Sequence, residues 1–124
     1  MPVISGATAP TFEVPGVTAT GLAAPSRGST ETCMWRFTMD PDVEPTVHQV
    51  DREEIFVLLS GRAEATVAGE EHLLGPGDAL VVPAHTTFSL INPGDEPLEL
   101  VAVLPVGGRA IMPGQDPFVP PWAR

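Results

Sequence analysis

Proline and glycine punctuate this chain too closely for long helices. Fifteen prolines and twelve glycines fall among its 124 residues. An interior proline removes a helical hydrogen bond and clashes with the turn before it. Between the breaks lie short apolar runs, such as EIFVLLS from Glu54 to Ser60 and LELVAVL from Leu98 to Leu104. Runs of this length, carrying β-branched and aromatic residues and bounded by turn residues, predict strands. The chain is therefore expected to be all-β, in an antiparallel sandwich or barrel.

The organisation is that of one domain with two extensions. Residues 1–28 form an N-terminal arm in which Phe12-Glu13-Val14 and Val17-Thr18-Ala19 could be short edge strands. Residues 29–105 carry the barrel, and residues 106–124 form a proline-rich tail expected to pack, with Trp122, on the barrel or on a partner. In TETCMWRFTM, from Thr30 to Met39, residues Cys33, Trp35, Phe37 and Met39 share one face and Thr32, Arg36 and Thr38 the other. Gly69-Glu70 suits a tight hairpin, and Gly75-Pro76-Gly77-Asp78 and Asn92-Pro93-Gly94-Asp95 suit further turns.

Charge narrows the partners. Sixteen acidic residues stand against six basic ones, a formal net charge of −10, so the surface repels nucleic-acid phosphates and anionic membranes. All six basic residues are arginine, which leaves no lysine for Schiff-base chemistry, and there is no tyrosine to act as a phenolic acid. Cys33 is alone, so neither an intrachain disulfide nor a cysteine zinc site is expected. No stretch has the pattern of a secretory leader or a membrane span, and a cytoplasmic protein is the expectation.

The chemistry concentrates between His48 and Asn92. Period-two alternation places Glu54 on the same strand face as Phe56 and Leu58, with Ile55, Val57 and Leu59 opposite. A carboxyl group facing so apolar an interior must be raised in pKa or paired. Beside His48 it would form the polar corner of a cavity, suited to general acid–base work. Trp35, Phe56 and Phe88 are candidates for an aromatic wall, and Val50 and His85 for further ligand contacts.

Residues 48–61 and 77–92 resemble the two signature motifs of the cupin superfamily. In the first motif, two histidines one residue apart are followed by Glu and then Gly; His48, Glu54 and Gly61 fall in register, with Val50 at the second histidine. In the second, Gly77, Pro83 and Asn92 are in register, while His85 occupies a glycine position and Phe88 a histidine position. The resemblance implies a double-stranded β-helix, the jelly-roll barrel, commonly built as a homodimer. It also implies a site in which three histidines and one Glu hold a divalent transition metal. Here two of those four residues are hydrocarbon, so no metal cofactor is expected. His48 and Glu54 are weak metal candidates that only His85, or water, could supplement.

The expected function is binding of a small, partly hydrophobic molecule in the barrel. Metal-free isomerase, cyclase or dehydratase chemistry could accompany it, with Glu54 as base and His48 as acid or orienting partner. A metal-dependent oxygenase or isomerase with an incomplete site, and a non-enzymatic ligand-binding or accessory protein, are the alternatives. Outward apolar residues such as Ile55, Val57 and Leu59 suggest a homodimer.

Overall fold

A computed structural model describes residues 3–124. Eleven strands, all paired antiparallel, make two layers around one core. They are β1 (Thr11–Val14), β2 (Val17–Ala23), β3 (Thr32–Met39), β4 (Gln49–Val50), β5 (Glu54–Ser60) and β6 (Ala63–Val67). The second half of the chain adds β7 (Glu70–Leu74), β8 (Ala79–Val82), β9 (Phe88–Ile91), β10 (Leu98–Pro105) and β11 (Ala110–Ile111). One layer is a six-stranded sheet in the order β1-β2-β3-β10-β5-β8. The other joins β7-β6-β9 to β11-β4 through the bridge between His48 and Phe88, whose backbones exchange hydrogen bonds of 3.1 and 2.9 Å. This is the all-β architecture anticipated from the chain's punctuation, in the jelly-roll form that the motif resemblance implied.

Alternation explains the core. β10 reads buried at Leu98, Leu100, Ala102 and Leu104 and half-buried between them, because one face of the sheet meets the second layer and the other meets water. Ala102 pairs in register with Trp35 on one side and Phe56 on the other. A methyl group there leaves room for the two aromatic rings that flank it.

Two expectations shift on contact with the structure. β2 runs longer than the short strand anticipated, and it lies inside the large sheet between β1 and β3, so of the two only β1 is an edge strand. The hairpin between β6 and β7 turns at Ala68 and Gly69, with φ of 50° and 84°, one residue earlier than expected. A two-residue turn with both central φ positive matches the right-handed twist of the strands, which is why the chain accepts alanine at a strained position. Among the described residues no helix is long and apolar enough to cross a membrane.

Candidate functional site

The two layers and the tail line a cavity of about 450 Å³ that opens to solvent. The large sheet contributes Trp35, Phe37, Met39, Glu54, Phe56 and Leu104 to its wall. His48, Val50, Phe88 and Leu90 come from the opposing layer. The loop between β3 and β4 adds Val43, Glu44 and Thr46, and the C-terminal segment adds Met112, Phe118 and Trp122. A second depression of about 370 Å³ lies at Glu64, Glu71, His72 and Leu73. There His72 and Glu70, 3.9 Å apart, are largely exposed, an arrangement worth little energetically.

Glu54 begins β5 opposite Val82 and is 4% exposed. No side chain or backbone donor among the described residues bonds its carboxyl group, and no cation lies within salt-bridge distance. Burial alone pushes its pKa up to about 8, because an apolar wall cannot replace the water that stabilises a carboxylate. Of the two outcomes expected for a carboxyl group here, a raised pKa or a charged partner, the structure has the first: no ion pair with His48 is formed, although both side chains face the same cavity. Near neutral pH the protonated form of Glu54 is therefore favoured, and it is a hydrogen-bond donor in search of an acceptor.

His48 is fixed differently. Its Nδ1 lies 3.0 Å from the Thr46 carbonyl oxygen, which only accepts, so Nδ1 carries the proton and Nε2 keeps a lone pair. Burial lowers the ring's pKa below its ordinary value, and the Thr46 carbonyl opposes that shift without reversing it. The imidazole packs against Phe88 with ring centroids 4.5 Å apart, and Phe88 in turn meets Phe56 at 5.7 Å. The wall thus offers one neutral acid and one neutral base in aromatic surroundings.

The other candidates separate cleanly. Trp35, Val50, Phe56 and Phe88 all line the cavity and are at most 5% exposed. His85 does not reach it. Its side chain is exposed and its backbone lies in the left-handed region at φ 58°, the conformation that a glycine would adopt without strain. Its amide donates to the Val50 carbonyl at 2.8 Å, so it holds the turn rather than a ligand. Cys33 is fully buried, 3.4 Å from the Ala123 carbonyl, and burial raises its thiol pKa, the setting of an inert core thiol.

The donor set does not fit a divalent transition metal. The four relevant positions hold His48, Val50, Glu54 and Phe88, two donors where three or more protein ligands are needed. His85 is turned away, and among the described residues no group of three or more His, Cys, Asp or Glu side chains could hold an ion.

The loop and tail walls were not legible as site residues. Phe118 exchanges backbone hydrogen bonds of 2.8 and 3.1 Å with Ala110, which brings a segment remote in sequence against the barrel. Trp122 meets Phe37 edge to face at 5.4 Å and Trp35 at a tilt at 6.3 Å. The placing of Phe118 between prolines, in an otherwise polar stretch, was the available signal.

Comparison with known proteins agrees with this architecture. The polyketide cyclase RemF from Streptomyces resistomycificus superposes with a TM-score of 0.79 at 15% identity, over 94% of this chain and 87% of that one. KdgF from Halomonas sp. superposes with a TM-score of 0.70 at 24% identity, over 83% of this chain and 92% of that one. At these identities the likeness is one of fold. In sequence, the mannose-1-phosphate guanylyltransferase ManC of Salmonella typhimurium is 40% identical over 52 residues, which span 42% of this chain and only 11% of that protein. The family model for the cupin domain matches residues 35–104, more than half of the chain, and the protein belongs to the cupin family.

Proposed function

We propose that the protein binds a small, largely hydrophobic organic molecule in the barrel and moves a proton on it without a metal. The observation that carries this reading is the presence, in one cavity and on its two facing layers, of an unbonded Glu54 carboxyl group and a His48 whose Nε2 is free. Buried carboxyl groups that hold a fold together are ordinarily hydrogen-bonded within the protein, whereas this one lines a cavity. The roles run opposite to those expected from the residue types alone. Glu54 holds its proton at neutral pH and serves as the acid, and neutral His48 serves as the base.

On a bound ketone, His48 Nε2 takes a proton from the carbon next to the carbonyl, and Glu54 delivers its proton to the carbonyl oxygen, giving the enol. The reverse steps return a solvent-derived hydrogen to carbon. The apolar wall excludes water and keeps both groups neutral in the resting state. The likeness to a polyketide cyclase in fold is consistent with chemistry of this type.

The test is solvent-deuterium exchange into the methyl group of 2-acetonaphthone, followed by NMR with chelator-treated protein. Saturable exchange is expected, falling at least about a hundredfold in Glu54→Gln and His48→Gln. Its rate should rise with pH as His48 loses its proton, then fall through about 8 as Glu54 loses its own. Exchange at the same rate in both variants would sink the proposal.

A homodimer belongs to the same reading. Ile55 and Val57 are half-buried and Leu59 and Val81 about half exposed on the outward face of β5 and β8, which supports pairing with a second copy. Sedimentation velocity should give a dimer that Val81→Lys weakens; a monomer at every concentration rejects it.

A further inference from the structure

The cavity is selective by charge. Its polar groups are the side chains of Glu44, Thr46, His48 and Glu54 and the indole N–H groups of Trp35 and Trp122. None of the six arginines lines it, and the chain has no lysine. We infer that the cavity takes an uncharged, ring-bearing molecule with one acceptor oxygen and turns away carboxylates and phosphates. The inference deepens the proton-transfer reading and rests on it for placing that oxygen at Glu54.

An anion would find no counter-ion to offset the loss of its hydration. It would also face Glu44 at the wall and the field of a protein carrying a net charge of −10. A cation could draw the proton off Glu54, but a buried ion pair recovers its desolvation cost only when its remaining hydrogen-bonding sites are satisfied. The other uncharged polar groups on the wall are Thr46, His48, which already spends one nitrogen on the Thr46 carbonyl, and the indole N–H groups of Trp35 and Trp122, which only donate and so cannot satisfy a cation. A neutral acceptor oxygen instead satisfies the Glu54 proton with no charge to desolvate.

The rest of the wall recognises rings. Phe37 and Trp122 meet edge to face at 5.4 Å, and Phe56 and Phe88 meet at 5.7 Å on another part of the wall. Such tilted arrays present both faces and edges to an inserted planar group. A volume of about 450 Å³ lies within the ordinary range for small-molecule sites.

Three probes on one naphthalene skeleton test this with the unmodified protein. These are 2-acetonaphthone, 2-naphthoate and 2-naphthylmethylammonium, each titrated at pH 7 by calorimetry. The ketone should bind at least about tenfold tighter than either ion. Equal or tighter binding of naphthoate overturns the inference, as does tighter binding of the ammonium probe or no saturable binding of the ketone. Ketone binding without deuterium exchange would reject the catalytic reading while leaving the ligand class intact, so the two failures are distinguishable.

Discussion

Among the described residues, tryptophan aside, two polar side chains are buried, and they are opposites. Asn92, in the turn after β9, is 7% exposed, and its amide nitrogen donates to the carbonyls of Met39 at 3.0 Å and Glu96 at 2.7 Å. Its amide oxygen accepts from the Gly94 amide at 2.9 Å. Glu54, 4% exposed, has no protein partner. A satisfied buried amide rigidifies the chain around it, whereas an unsatisfied carboxyl group is a cost that only a ligand or water can offset. The contrast separates a residue that holds the fold from one available to a ligand.

The largest expected effect probes the cost at Glu54. Its folded pKa of about 8 lies above the ordinary 4.5, so between those values the folded state binds more protons than the unfolded one. Stability is then fully present below pH 4.5 and lost as pH rises through 8. The loss is up to about 5 kcal/mol, less where water enters the cavity. Glu54→Gln removes it. Urea melts should show the variant matching the parent near pH 4 and exceeding it above pH 8; equal stability at both ends would break the contrast.

Next comes Asn92→Ala, which removes three hydrogen bonds at once and should cost about 3 kcal/mol at every pH. Binding of 2-acetonaphthone by the fraction still folded should be unchanged. A loss below about 1 kcal/mol would mean that the turn does not depend on Asn92.

A smaller effect has the opposite pH dependence. Burial lowers the His48 pKa, so its contribution is present above the ordinary histidine value and lost as pH falls through the folded one. His48→Gln should flatten the acid side of the stability profile, and an unchanged slope there would count against a buried neutral ring.

The smallest belongs to His85→Gly. Relief of the left-handed backbone and the added freedom of the unfolded chain nearly cancel, so the melting midpoint should move by less than about 1 kcal/mol equivalent. Deuterium exchange should not change at all. A fall in exchange would return His85 to the site.

The fold was written in the chain because its signals are local. Turn residues stop strands, and period-two alternation gives each strand an inside, so Leu98, Leu100, Ala102 and Leu104 could be placed before any contact was known. The same alternation put Glu54 beside Phe56 and Leu58 on the buried face, and motif spacing placed His48 near it. Which group carries the proton was not legible, because desolvation and the Thr46 carbonyl act through space. Nor was the direction of His85, which depends on the sign of one backbone angle. The wall supplied by Glu44, Phe118 and Trp122 depends on how segments some 70 residues apart close over one another. The sequence by itself determined the strands, their inward faces and the missing metal donors, since these follow from residue type and spacing. Only the tertiary structure decided that Glu54 meets an apolar cavity without a partner, because burial is a property of everything packed around a group rather than of the group itself.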